Sequence, residues 1–509
     1  MNKRLIPTTR RSVIATATVT AVLLLSGCAS GPDYQRSTFV LPTHWFVSSA
    51  TPAAETGAPL PDWRTYFADA RLQALIDQAL EHNHDLRIAT ARIAEARALY
   101  GIERSSKLPE FELLGKREAS LTPGDLNVLG RPLNSQRYDV GVEMLNYEVD
   151  FWGRVRRLDE AALASYLTSE EAQRAFRLSL IADVANAYFS QCELRERIVI
   201  ARAAAENRSE VAKLSDQRRQ AGLMGSMEYL RAAAAAEAAR VDLAVLEQTG
   251  AAADHWLQLL IGTLPADQPS AAAADKPLPP ARPLGEQSLT PLAANLPAEV
   301  LLRRPDVLAA EQRLIAANAN IGAARAAFLP RVTLTGLVST ASGSLSHLFE
   351  SGSRAWLFKP QLRIPLFNGG RNDANVDLAE ARKTVAVVEY EKSIQQAFRE
   401  VADLLAARER LGEQLSAQEN NRRIQDERTQ LFEARYKAQI SHYLEVLDAR
   451  RDLQAAEQGA LQARRAVLAN AAQLYKALGG AVADETKPKL VSVPEPVPVP
   501  VLAPVAAVE

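Results

Sequence analysis

Few positions in this 509-residue chain combine residue types that do chemistry. Glu81-His82-Asn83-His84-Asp85 has the letters of a metal or nuclease site. With no further His or Cys ligands beside it, the cluster reads as a polar helix start. Cys192 falls among residues at helical core spacing and reads as a small buried hydrophobe. Phe367-Asn368-Gly369-Gly370 lacks the lysine and the spacing of a phosphate loop. No nucleophile, base and acid stand in a triad pattern, so neither an enzyme nor a cofactor or metal is expected. The segment 435–448 is more informative. It reads as a turn and a helix start, in which Leu444, Glu445 and Asp448 are spaced to share one helix face.

Bulk composition narrows the classes further. Lys and Arg number 59 against 60 Asp and Glu, a net charge of −1, which excludes a strongly basic nucleic-acid binder. Hydrophobic residues at 47% and charged residues at 23% describe a folded chain rather than a disordered one. Length alone allows about three domains. Two cysteines, Cys28 and Cys192, exclude a disulfide framework and a four-cysteine zinc site. Aromatics are 6%, and alanine runs such as 232–236 point to helix.

Residues 1–27 read as an export signal. Lys3, Arg4, Arg10 and Arg11 precede an apolar stretch, 13–25, too short to span a bilayer. It ends in Leu25-Ser26-Gly27-Cys28, which resembles a bacterial lipobox: cleavage before Cys28, then acylation of it. Ala29, where inner-membrane lipoproteins keep Asp, points to the outer membrane. No later stretch holds 18 consecutive apolar residues, so no transmembrane helix follows.

The chain repeats itself. Residues 85–109 align with 306–330 without a gap: Arg92 meets Arg313, Gly101 meets Gly322, and Leu108-Pro109 meets Leu329-Pro330. After a small shift Gly153-Arg154 meets Gly370-Arg371, Arg218 meets Arg435, Glu228 meets Glu445, and Gly262 meets Gly479. The expected organisation is an extended N-terminal segment 28–69, a first repeat 70–262, a Pro-rich linker 263–291, a second repeat 292–479 and a Pro-rich, disordered tail 480–509.

Each copy reads helix, strand, loop, strand, very long helix, turn, helix. Val332, Leu334, Gly336 and Val338 alternate with polar neighbours, as do Trp356, Phe358, Pro360, Leu362 and Ile364, which is strand periodicity. First-copy strands are expected near 111–116 and 138–149, with loops at 117–137 and 339–355. Glu112, Lys116 and Glu118 make the first copy less clean. Ile181, Val184 and Tyr188, and Ile394, Phe398, Val401 and Leu405, form narrow coiled-coil seams that need side-by-side neighbours. Four strands cannot close a membrane barrel alone, so spanning strands would have to be shared between chains.

Together with the repeat and the lipobox, Asp150-Phe151-Trp152-Gly153-Arg154, Arg303-Arg304-Pro305-Asp306 and Pro365-Leu366-Phe367-Asn368-Gly369-Gly370 carry a resemblance. The chain resembles the TolC-like outer-membrane efflux factors, in the NodT-type lipoprotein branch of the resistance-nodulation-division systems. The resemblance implies a mainly α protein with a membrane β-barrel: a homotrimer with a twelve-stranded barrel and a long periplasmic α-helical barrel. It implies a passive duct for drugs or other small toxic compounds, docked on a periplasmic adaptor and an inner-membrane pump. It also implies a gate at the helix tips, carried over to Tyr436, Leu444, Glu445, Asp448, Arg435 and Glu228, with Tyr436 bonded to Glu228. A second link would fall on Met227 and Ser441, which cannot make it. The residues alone leave another reading open, a lipid-anchored periplasmic helical scaffold. The two differ in whether the strands alternate lipid-facing apolar and lumen-facing polar residues.

Overall fold

The computed structural model describes residues 31–36, 60–128, 130–263, 278–292 and 298–480. The export signal, Cys28, most of the 28–69 segment and the Pro-rich tail lie outside the described residues.

The duplication is visible in element lengths. In the first copy, α1 (Ala70–His82) leads into α2 (His84–Ser105), β1 (Phe111–Thr122), β2 (Leu133–Val149), α3 (Arg154–Gln220) and α4 (Ser226–Ile261). In the second, α5 (Pro305–Ala326) leads into β3 (Arg331–Ser342), β4 (Arg354–Arg363), α6 (Arg371–Lys437) and α7 (Tyr443–Ala477). Helices α2 and α5 both have 22 residues, and α3 and α6 both have 67. At 1.5 Å per residue the long pair spans roughly 100 Å. Among the described residues no helix is long and apolar enough to cross a membrane.

The hydrophobic core lies around mid-length of the long helices. Tyr188 and Phe189 on α3, Tyr390 and Ile394 on α6, and Tyr475 on α7 are fully buried there with Tyr66 and Phe67. Tyr66 stacks on Tyr475 at 4.6 Å between centroids, and its hydroxyl donates to the Ala471 carbonyl at 2.9 Å. The Tyr188 hydroxyl donates to Asp69 Oδ2 at 2.7 Å. The linker does not run free over its whole length: Leu284 is fully buried, and Leu289 bridges to Phe67.

Each copy closes with the same joint. Asn83, the N-cap of α2, accepts from the Leu86 amide and donates to the Leu260 carbonyl at 2.9 Å, near the end of α4. Arg304, the N-cap of α5 at the aligned position, donates to the Ala477 carbonyl at 2.6 Å, at the end of α7. Arg304 also holds Asp306 and Glu400, each at 2.8 Å, while itself only 6% exposed. A guanidinium has the donors for three partners in one plane, and a cation suits the negative end of α7.

Where strand turns into long helix, both copies need a left-handed residue, and glycine supplies it: Gly153 at φ 76° and Gly370 at φ 80°. Asp150 caps α3 by accepting from the amides of Val155 and Arg156, and Trp152 Nε1 donates to the Pro330 carbonyl at 2.7 Å. The described N-terminal residues lie against the same end of the bundle. Asp33 pairs with Arg157 at 2.7 Å, Tyr34 donates to Glu311 at 3.0 Å, and the Pro32 carbonyl accepts from Asn318 at 2.9 Å.

Candidate channel aperture and membrane surface

The two helix tips use one backbone solution. After α3, the amides of Gly222 and Leu223 donate to the carbonyls of Arg219 and Arg218 at 3.0 and 2.8 Å. After α6, the amides of Gln439 and Ile440 donate to Tyr436 and Arg435, both at 2.9 Å. This is the Schellman arrangement, and it needs φ > 0 at its penultimate residue. Gly222 meets that need at φ 71°, whereas the second copy holds Gln439 at φ 61°. A non-glycine residue there costs on the order of 1 kcal/mol, so the second tip is the more strained one.

The residues carried over to the gate all lie at these tips. Leu444 and Asp448 are exposed on the first turns of α7, and at the two tips Ile440, Leu223 and Met227 are exposed as well. Asp448 sits 3.5 Å from Arg451. Glu445 is committed locally: it accepts from the Ser441 hydroxyl and from the His442 amide at 3.2 Å, as the third residue of a capping box. Ser441, unsuited to the family's second link, thus has a partner of its own. Glu228 occupies the matching third position of α4 and is exposed, with no hydrogen-bond partner among the described residues. Tyr436 does not reach it within one chain. Its ring lies against Tyr443 at 5.1 Å between centroids. Arg435 contributes its carbonyl to the turn and a positive charge near Glu445.

The Ser441 hydroxyl bond, the His442 amide and the Arg435 charge hold the Glu445 carboxyl below the usual glutamate range. A depressed carboxylate contributes stability above its unfolded pKa and loses it as pH falls through the folded value. Backbone amides of the α6–α7 turn should therefore lose protection, measured against the intrinsic exchange rate at each pH, once pH drops below the ordinary glutamate range. Glu445→Ala should lack that protection already at neutral pH and lose its pH dependence. Equal, pH-independent protection factors in both proteins would refute the capping role.

Above the tips, polar bonds join the two hairpins along the α3–α7 seam. Arg450 donates to Asn207 and Arg208 to Gln454, both at 3.0 Å, and Arg465 pairs with Glu193 at 2.6 Å. The i, i+4 spacing of Arg450 and Gln454 along α7 was available as a signal, but the partners on α3 are over 200 residues away. The Glu81–Asp85 cluster is the α1–α2 joint, and no group of three metal-ligating residues exists among the described residues. Cys192 is buried, its thiol pushed up to about 11 by desolvation.

At the other end the four strands form one antiparallel sheet, in the order β1-β2-β3-β4. The strands are longer than expected: β1 reaches Thr122 and β2 begins at Leu133, leaving loops of 123–132 and 343–353. Charge hid the extension, because Glu112, Lys116 and Glu118 interrupt a hydrophobic run without breaking period two. The register puts all three on one face, opposite Glu143, Asp139 and Arg137. The first copy is thus as two-faced as the second. The other face carries the rows Leu113–Val142–Val338–Trp356 and Phe111–Met144–Gly336–Phe358, and most of these large side chains are exposed. A bulge at Leu145 and Asn146, with Asn146 at φ 51°, returns Tyr147 and Val149 to that apolar face. Tyr138 and Tyr147 then bracket the band on β2, as aromatic girdles do in membrane barrels.

A two-faced sheet on a helical stalk roughly 100 Å long defines a class, the membrane duct with a periplasmic extension, and the comparisons agree. Residues 75–263 and 296–480 match the outer membrane efflux protein family, and the chain belongs to it. It is 40% identical over 465 residues to the toluene efflux pump outer membrane protein TtgF of Pseudomonas putida, covering 90% of this chain and 94% of that one. It is 38% identical over 461 residues to the cation efflux system protein CusC of Escherichia coli (strain K12), covering 90% and 97%. The open-state crystal structure of the Neisseria gonorrhoeae MtrE outer membrane channel superposes with a TM-score of 0.78 at 36% identity, covering 89% and 98%. The protein is therefore the outer-membrane channel of an efflux system.

Proposed function

We propose that three copies close the sheet into a twelve-stranded barrel above a helical tunnel, forming a passive duct that an inner-membrane pump loads through a periplasmic adaptor. The observation that carries this reading is the sheet itself: apolar outside, polar on the other face, and open at both edges. The helices support it. Ile88, Leu99 and Ile102 on α2, Val241, Val245 and Trp256 on α4, and Val385 and Val388 on α6 leave apolar faces exposed in one chain, as a ring of neighbours requires. Acylation at Cys28 would add a lipid anchor close to Gly31, on the barrel side of the bundle. The cargo class is small toxic compounds, in line with relatives named for toluene and for cations. At the tip, Leu444 and Asp448 line the aperture, with Glu445, Tyr436, Glu228 and Arg435 setting its width.

Planar-bilayer recording tests this. The wild type should give cation-preferring channels blocked by divalent cations, because a ring of carboxylates concentrates them. Asp448→Asn should weaken the block several-fold. A protein that forms no channel would refute the duct. Channels with unchanged block would refute Asp448 as an aperture residue.

A further inference from the structure

On the polar face of the sheet, charges divide by strand. Glu112 on β1 stands directly opposite Glu143 on β2, and Arg363 on β4 stands opposite Arg331 on β3. Like charges facing each other across a ladder oppose pairing. Several other charges on this face are answered within the chain: Lys116 by Glu118 at 2.7 Å, Arg137 by Asp139 at 2.8 Å, and Arg331 by Glu148 at 3.2 Å. Glu112, Glu143, Lys359 and Arg363 have no ion-pair partner among the described residues. The unanswered acids lie toward one free edge and the unanswered bases on the strand at the other.

The base of the sheet is also stepped. The row that starts at Phe111 crosses Met144, Gly336 and Phe358, and β4 runs five residues further to Arg363. A stepped sheet closes with tilted strands and a fixed stagger. A second copy whose β1 begins level with the end of β4 brings Glu112 of the partner subunit beside Arg363 and Lys359. A slip of one residue would turn Glu112 to the apolar face.

We infer that the seam between copies is registered by ion pairs from Arg363 and Lys359 to Glu112 of the partner subunit. This rests on the shared-barrel reading and adds the side chains that select the register.

The test is a charge-reversal cycle read as trimer persistence in detergent on heating. Glu112→Lys and Arg363→Glu should each lower the surviving trimer several-fold at a fixed temperature, and the double reversal should restore most of it. If a reversed chain does not fold, the neutral pair serves. Glu112→Gln, Arg363→Gln and the double variant should then all lose about equally, since each removes the same bond. A double reversal no better than the singles, singles with wild-type persistence, or additive losses in the neutral cycle would overturn the inference. A wild type that is monomeric under all conditions would overturn the shared barrel instead.

Discussion

Val338→Arg is expected to prevent stable insertion into the outer membrane, while Leu337→Arg, one residue away, inserts. Val338 lies on the apolar face, 72% exposed, in the row Leu113–Val142–Val338–Trp356 between the levels of Tyr138 and Tyr147. An arginine facing lipid near the bilayer midplane costs about 2–4 kcal/mol, and three copies in one barrel multiply that to roughly 6–12 kcal/mol. Leu337 pairs with Glu143 on the opposite face, where an arginine meets water and a carboxylate. Membrane fractionation, with trimer recovery from the outer-membrane fraction, reads both. Equal insertion of the two variants would mean that the faces are misassigned.

The second large effect is expected at the joint of the second copy. Arg304→Ala removes the partner of Asp306 and Glu400 and the donor to the Ala477 carbonyl. Breaking a buried ion pair costs about 3–5 kcal/mol, but these carboxylates are 45% and 35% exposed and recover some water. A loss of about 2–4 kcal/mol is therefore expected. Arg304→Lys keeps the charge but not the planar fork, and should fall between. Asn83→Ala, at the uncharged joint of the first copy, should cost only about 1–2 kcal/mol. Thermal unfolding in detergent by circular dichroism checks the order. An Arg304→Ala protein that melts like the wild type would show that α5 docks without this residue.

How much of this was legible beforehand depends on whether a signal was local. The duplication was readable, with Gly153 meeting Gly370 and Leu108-Pro109 meeting Leu329-Pro330, because glycine, proline and spacing act over a few residues. The full reach of β1 was not, since a charged residue on a water-filled face resembles a loop residue until its ladder partner is known. The capping role of Glu445 was hidden differently. A glutamate three residues past a cap is a known helix-start signal, but the cap here is His442 rather than Ser or Thr. The Tyr436–Glu228 bond came from kinship alone, and a single chain pairs Tyr436 with Tyr443 instead.

The equal 67-residue lengths of α3 and α6 carry a further consequence. The two helices act as matched rulers, cut twice to one gauge by the duplication. Deleting two residues from α3 alone would lift its tip by about 3 Å and swing every later side chain by about 200°. Its apolar stripe would face away from its neighbours while the other hairpin stayed in place. Length changes in this stalk should thus be inherited only as paired events, one in each half of the gene, and only in steps that preserve the heptad phase.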